Sequence, residues 1–213
     1  MTQGPNVPRG TKPTKSQEVA LGAGFSQLAQ YAGILIKDAV LLGIIGPREV
    51  DRIWDRHILN CAALTELIPD GQSIIDIGSG AGLPGMVLAI LNPNSAVTLI
   101  EPMQRRTDFL TQTKSELGLN NVEILRGRAE GQKVSAQIVS SRAVAPLNKL
   151  LSWSWPLVEK GGKVLAIKGE KATEELAEVK NELVSLKSST AIIKTCGLAL
   201  DLSVTVVEIT KER

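Results

Sequence analysis

IIDIGSGAGLPG, residues 74–85, is the stretch on which the reading of this chain turns. An apolar run ends in Asp76, glycines follow at 78, 80, 82 and 85, and Pro84 leads into the apolar segment MVLAIL, 86–91. The pattern is that of a strand, a glycine turn and a helix. Such a turn brings bare backbone N–H groups and a helix N-terminus to one point, where α/β proteins hold small ligands. Pro84 suits a helix start because its missing donor is not needed there.

Downstream, short apolar runs alternate with amphipathic stretches. The expected elements are strand 73–77, helix 84–91, strand 96–101, helix 103–118, strands 122–126 and 136–141, helix 146–159, strand 162–168, helix 171–186, and strands near 190–195 and 202–209. This alternation predicts an α/β fold: a doubly wound, mostly parallel sheet with helices on both faces. The short connection between the last two runs predicts a hairpin and hence one antiparallel strand.

Upstream, the apolar positions 21, 25, 28, 31, 35 and 39 recur at helical spacing, and Gly46-Pro47 opens another helix with Glu49 and Asp51 in its first turn. Along it Ile53, Trp54, His57, Ile58, Cys61 and Leu64 form an apolar face that ends near Pro69-Asp70-Gly71. Residues 1–16, rich in Pro, Gly, Thr and Lys, have almost nothing to bury. The chain therefore divides into a disordered basic arm (1–16), a helical extension (17–70) and a single-core α/β domain (71–213).

The bulk properties restrict the function. A length of 213 residues suits one sizeable domain. No apolar run approaches the length of a membrane span, and the first residues lack a signal core, so a cytoplasmic protein off the membrane is expected. Cys61 and Cys196 are far apart and the chain has one histidine, which argues against a metal site or a disulfide framework. The net charge of +2 is small, but basic residues gather locally, at 9, 12 and 15 and at 142, 149, 160, 163, 168 and 171. They fit either a surface for a phosphate backbone or an ordinary solvated face.

Gly80 to Gly85 match G-x-G-x-x-G, a dinucleotide fingerprint that is weak alone. The second strand adds Glu101, about twenty residues after the loop, where an acid accepts hydrogen bonds from ribose hydroxyls. Nicotinamide dinucleotides and S-adenosylmethionine both carry that ribose. Asp76 at the mouth of the loop would repel a pyrophosphate and attract an ammonium and a sulfonium, which favours S-adenosylmethionine. After the third strand, the backbone of Ala129 and Glu130 either reads an adenine edge or belongs to a plain surface loop.

Taken together, DRHILN (55–60), DIGSGAGLPG (76–85), Glu101 with RRTDFL (105–110), GRAE (127–130), SRAVAPL (141–147) and LAIKG (165–169) resemble the bacterial small-subunit ribosomal RNA guanine-N7 methyltransferases, also called glucose-inhibited division protein B. The resemblance runs from about residue 48 to the C-terminus. Before that, LLGIIGPREV replaces the W-N-K and N-L-T signals that the family often carries. The resemblance implies a seven-stranded class I methyltransferase fold, S-adenosylmethionine as donor and N7 of a guanine in 16S ribosomal RNA as acceptor. It further implies that Gly78 and Leu83 line the cofactor, that Ala129 and Glu130 hold its adenine, and that Arg142 borders cofactor and substrate. Gly80, Gly82 and Glu101 match by motif.

Guanine N7 carries no proton, so the reaction needs alignment and no general base. Arg142 and Lys168, at the C-terminal ends of parallel strands, are the expected positioning residues. With Arg56 and His57 they are also the expected RNA contacts, although for His57 a packed histidine and for Arg56 a solvated charge stand beside that role. A positive group touching N7 itself would oppose the reaction. Trp153 and Trp155, two apart on a helix, should point to different sides, one into the core and the other free to stack on a base. The expected partner is 16S ribosomal RNA or the small subunit, met by a monomer. The alternatives are a nicotinamide-dependent oxidoreductase, a non-catalytic ribosome-assembly factor and a small-molecule methyltransferase.

Overall fold

A computed structural model describes residues 12–212. Seven strands form one sheet: β1 (Ile74–Ile77), β2 (Val97–Glu101), β3 (Val122–Arg126), β4 (Ala136–Arg142), β5 (Val158–Ile167), β6 (Ser188–Cys196) and β7 (Val204–Lys211). Their order is β3-β2-β1-β4-β5-β7-β6. Strands β1 to β5 pair in parallel, and β7 runs antiparallel to both β5 and β6, as the terminal hairpin requires. The winding reverses between β1 and β4, so their C-terminal ends open a crevice at the switch point, where open α/β sheets bind ligands.

Strand periodicity explains the two-sided burial. Ile74, Leu99, Ile138 and Leu165 face one apolar core, while their neighbours Ile75, Ile100, Val139 and Val164 face the other. Around the sheet lie α4 (Gly85–Leu91), α5 (Gln104–Leu117), α6 (Leu147–Ser154), α7 (Ala172–Glu178) and α8 (Lys180–Ser185). Two expected boundaries move. Helix 146–159 ends at Ser154, where a tight turn, Trp155–Leu157, carries Pro156 and lets β5 begin at Val158. Gly162 is required there, because a Cβ would stand 2.6 Å from the Gln137 carbonyl oxygen. Helix 171–186 is broken at Val179 into α7 and α8, and Ala172, Val179 and Leu183 remain in one core.

The helical extension packs on the first face of the sheet. It comprises α1 (Lys15–Leu21), α2 (Phe25–Ile34) with a wide turn Leu35–Ala39, and an irregular run Pro47–Leu67 containing α3 (Leu59–Ala62). Leu28, Tyr31, Leu35, Ile53, Ile58 and Leu64 are fully buried in the same core as Val87 and Leu99. The expected arm lies outside the described residues except at its end, and there it is ordered. Thr14 caps α1, accepting the Gln17 N–H at 3.3 Å while the Gln17 side chain accepts the Thr14 N–H at 2.9 Å. One helical run, Lys15–Ala39, is by length and composition apolar enough to cross a membrane, which corrects the expectation that none reaches that length. Its Leu21, Leu28, Tyr31, Leu35 and Ala39 are buried against the domain, while only 28 % of its most apolar window is buried.

Candidate active site

The glycine loop leaves β1 through three left-handed turns, with φ of +66° at Gly78, +59° at Gly80 and +96° at Gly82. At Gly82 space forbids a side chain as well, since a Cβ would lie 2.5 Å from Met86 Cγ and 2.8 Å from Tyr31 Oη. Tyr31, reaching in from α2, donates its hydroxyl to the Ala81 carbonyl at 2.6 Å. This support was not read as polar from the sequence; the signal was the chain's one tyrosine on a buried helix face.

Asp76 is not at the mouth of the loop. It is fully buried beneath it, where its Oδ2 accepts the Gly85 N–H at 3.1 Å and its Oδ1 accepts the Ser140 hydroxyl at 3.4 Å. Burial pushes its carboxyl up to about 7 against the hydrogen bonds that favour the charge. The expectation that Asp76 meets a cationic cofactor is thus corrected: it ties the end of β1 to the start of α4. Glu101 is also buried, at 1 % exposed, yet it lines the crevice. One of its oxygens accepts the Gly80 N–H at 2.9 Å and the other the Met103 N–H at 3.0 Å, with Arg106 Nη1 at 3.7 Å.

Three clefts open along this edge. The first, of about 510 Å³, runs from Gly78 past Glu101, Arg106, Ala129 and Glu130 to Trp153. The second, about 250 Å³, lies between Ile44–Gly46, Glu49 and His57 on one side and Gly78, Gly80 and Leu83 on the other. The third, about 540 Å³, is bounded by Arg56, Asn60, the turn Ala143–Pro146, Lys168 and Glu175. Arg142, at the end of β4, lines all three. The residue after it, Ala143, holds φ at +54°, a left-handed conformation unusual for alanine and of the kind that gathers at functional sites.

Of the expected cofactor residues, Gly78, Glu101, Ala129, Glu130 and Arg142 therefore meet in the first cleft, and Gly78, Gly80, Leu83 and Arg142 in the second. Gly82 and Asp76 line neither; they shape the loop from below.

The expected RNA contacts separate. The Arg56 side chain is 53 % exposed at the rim of the third cleft and pairs with Glu49 Oε1 at 3.1 Å. His57 is tucked inward, with Nε2 2.7 Å from Glu49 Oε2 and Nδ1 2.9 Å from Arg142 Nη2. Lys168 does not reach for a phosphate: its ammonium donates to the Ala145 carbonyl and to Glu175 Oε2, both at 2.8 Å, beneath the turn that follows Arg142. Lys163, another member of the basic stretch, is bound to Glu208 at 3.0 Å and to the Leu67 carbonyl at 2.9 Å. Trp155 is in the core with its N–H donated to Leu186, and Trp153 borders the first cleft. Glu49 was read from the sequence only as a helix-start charge, and Asn60 and Arg106 only inside longer motifs.

Known proteins share this architecture and sequence. A family model described as rRNA small subunit methyltransferase G matches residues 25–203. A ribosomal RNA small subunit methyltransferase G from Thermobifida fusca is 48 % identical over 201 residues, covering 93 % of this chain and 85 % of its own. One from Mycolicibacterium gilvum is 47 % identical over 190 residues, covering 87 % and 83 %. Among solved structures, M. jannaschii TYW2 in complex with AdoMet superposes with a TM-score of 0.59 over 75 % of this chain and 78 % of its own, at 17 % identity. A methyltransferase from Pyrococcus furiosus gives 0.58 over 88 % and 98 %, also at 17 % identity. At that identity the two structures speak for the fold.

Proposed function

The chain belongs to the rRNA small subunit methyltransferase G family, and from that premise we propose that it moves the methyl group of S-adenosylmethionine to N7 of a guanine in 16S ribosomal RNA. The observation that carries the reading is that the family match spans the whole crevice, from the helices that brace the glycine loop to β6, beyond Lys168.

The first cleft suits the cofactor by its chemistry and its size, which is within the range of about 300–1,000 Å³ usual for small ligands. Glu101 supplies carboxylate oxygens with lone pairs left for ribose hydroxyls, the turn Ala129–Gly131 supplies backbone groups for a purine edge, and Trp153 supplies an aromatic wall. The second cleft, lined by loop glycines and closed by Ile44 and Ile45, suits the amino-acid end. When bound, S-adenosylmethionine supplies a methyl group on positive sulfur.

The chain's own task is to bring an acceptor nitrogen into line. N7 has a free lone pair and no proton, so no side chain has to remove one, and orientation alone contributes several kcal/mol, of the order reached in well-aligned intramolecular reactions. The third cleft, separated from the first by Arg142, is the acceptor side. Arg142 serves by donating to an acceptor beside N7, such as guanine O6, since a cation on N7 itself would oppose its attack. Lys168 and Glu175 hold the Ala143–Pro146 wall of that cleft, and Arg56 at its rim meets the phosphate backbone. The enzyme acts as a monomer in the cytoplasm, away from membranes.

A cofactor titration tests the first half of this reading. S-adenosylmethionine should bind and NAD(P)H should not, and Glu101→Gln should weaken S-adenosylmethionine by roughly tenfold or more, the scale of a lost charge-assisted hydrogen bond. Tight NAD(P)H binding with none for S-adenosylmethionine would overturn it.

A further inference from the structure

We propose that Glu49 and His57 are positioning residues for Arg142, holding its guanidinium at the junction of the three clefts through a closed ring of four side chains and one carbonyl. The ring is read from its links. Arg142 Nη2 meets His57 Nδ1 at 2.9 Å, His57 Nε2 meets Glu49 Oε2 at 2.7 Å, Arg56 Nη1 donates to Glu49 Oε1 at 3.1 Å, and Arg142 Nη1 donates to the Arg56 carbonyl at 3.1 Å. It joins the helical extension to the end of β4 across 85 residues of sequence.

The chemistry of the groups fixes the proton. A guanidinium can only donate, so Nδ1 of His57 accepts and the ring proton is on Nε2, donated to Glu49. The ring of bonds closes only with a neutral imidazole in that tautomer. An imidazolium would turn a second N–H toward Arg142 and break the link that sets it. The groups facing His57 are Arg142 from β4, Glu49 from the turn Pro47–Arg52 and Arg56 from its own turn. Burial opposes a positive ring most, the two arginines add to that opposition and Glu49 favours it, so the imidazole is held below its ordinary value. Glu49 in turn is kept ionised by the His57 hydrogen bond.

The arrangement gives His57 a role other than RNA contact, since both ring nitrogens are occupied within the protein. Two N–H groups of Arg142 are turned back into the extension, leaving the rest of the guanidinium toward the clefts. The consequence for catalysis rests on the methyltransferase reading, whereas the ring itself does not.

The experiment exploits the fact that His57 is the only histidine in the chain. In the full chain labelled with nitrogen-15, its imidazole spectrum needs no assignment. The expected result is a neutral ring with the proton on Nε2 at pH 7.5 and a titration midpoint below the ordinary 6.5. Arg142→Ala should raise that midpoint and Glu49→Gln should lower it. A proton on Nδ1, or a midpoint unmoved by Arg142→Ala in a variant that keeps its folded spectrum, overturns the proposal. In methyl transfer to small subunits, kcat/KM should fall on the acid side with the same midpoint. His57→Ala should cost roughly tenfold, the scale of one lost hydrogen bond to a charged group. His57→Asn, which keeps an acceptor for Arg142 and cannot titrate, should restore most of the rate and abolish the acid limb. An acid limb that persists in His57→Asn counts against the proposal. Expected spectra in an enzyme that transfers no methyl to ribosomal RNA would leave the ring standing and remove the methyltransferase reading.

Discussion

A carboxylate that is fully buried and bonded to one backbone N–H and one hydroxyl is poorly compensated for the loss of water. Asp76 is such a group, and its carboxyl titrates near 7 in place of the 3.8 of an unfolded chain. The folded state therefore binds a proton more tightly than the unfolded state. The stability this gives is complete below about pH 4 and is lost as pH rises through about 7, a change of roughly a few kcal/mol. Urea unfolding at pH 5 and pH 8 should show this fall. Asp76→Asn, which retains an acceptor for Gly85, should flatten it and be the more stable protein at pH 8; parallel curves for the two would contradict the account. At this scale the sequence misled in an instructive way. Asp76 and Glu101 look alike, an acid at the end of each of two adjacent strands, and both are buried, yet only Glu101 lines the cleft while Asp76 is tied beneath the loop to Gly85 and Ser140. An Asp76 at the mouth of the loop would favour S-adenosylmethionine over a dinucleotide; with Asp76 beneath the loop, family membership carries that choice.

Between α2 and the glycine loop a single hydroxyl joins two elements. Tyr31→Phe would leave the Ala81 carbonyl, itself nearly buried, without its partner, at a cost of about 1–3 kcal/mol. Chemical denaturation should record that loss, and S-adenosylmethionine affinity should fall with it because the loop lining the second cleft loses its brace. Unchanged affinity would mean that the loop is rigid without α2. Gly82→Ala adds a forbidden Cβ against Met86 and Tyr31 at a left-handed position, and should lose about 1–3 kcal/mol or more. Elements of this kind were largely legible, because strand alternation and the glycines mark β1, β2 and the loop directly. The early start of β5 was not: Glu159-Lys160-Gly161-Gly162 looks like a turn, and it forms an irregularity within the strand, between the pairs Val158 with Ala136 and Lys163 with Ile138.

Over the whole molecule, the extension and one face of the sheet share a core in which Leu28, Leu35, Ile53 and Ile58 are as deeply buried as Val87 and Leu99. Removing residues 12–46 would strip that face of its cover and separate Tyr31 from the loop. The shortened chain should lose its cooperative unfolding transition, and a truncated protein that melts sharply would contradict the shared core. Sequence periodicity revealed the helices of the extension without saying what they pack against, since that depends on contacts such as Gln27 to the Leu117 carbonyl and Glu49 to His57, which no local pattern encodes. The site inherits this arrangement, because Arg142 is set from β4 on one side and from the extension on the other. Transfer of labelled methyl from S-adenosylmethionine to small ribosomal subunits from cells lacking the protein, followed by nucleoside analysis, tests the central claim most directly. N7-methylguanosine in the 16S RNA is the predicted product; label in another nucleoside, or none in the RNA, would contradict it.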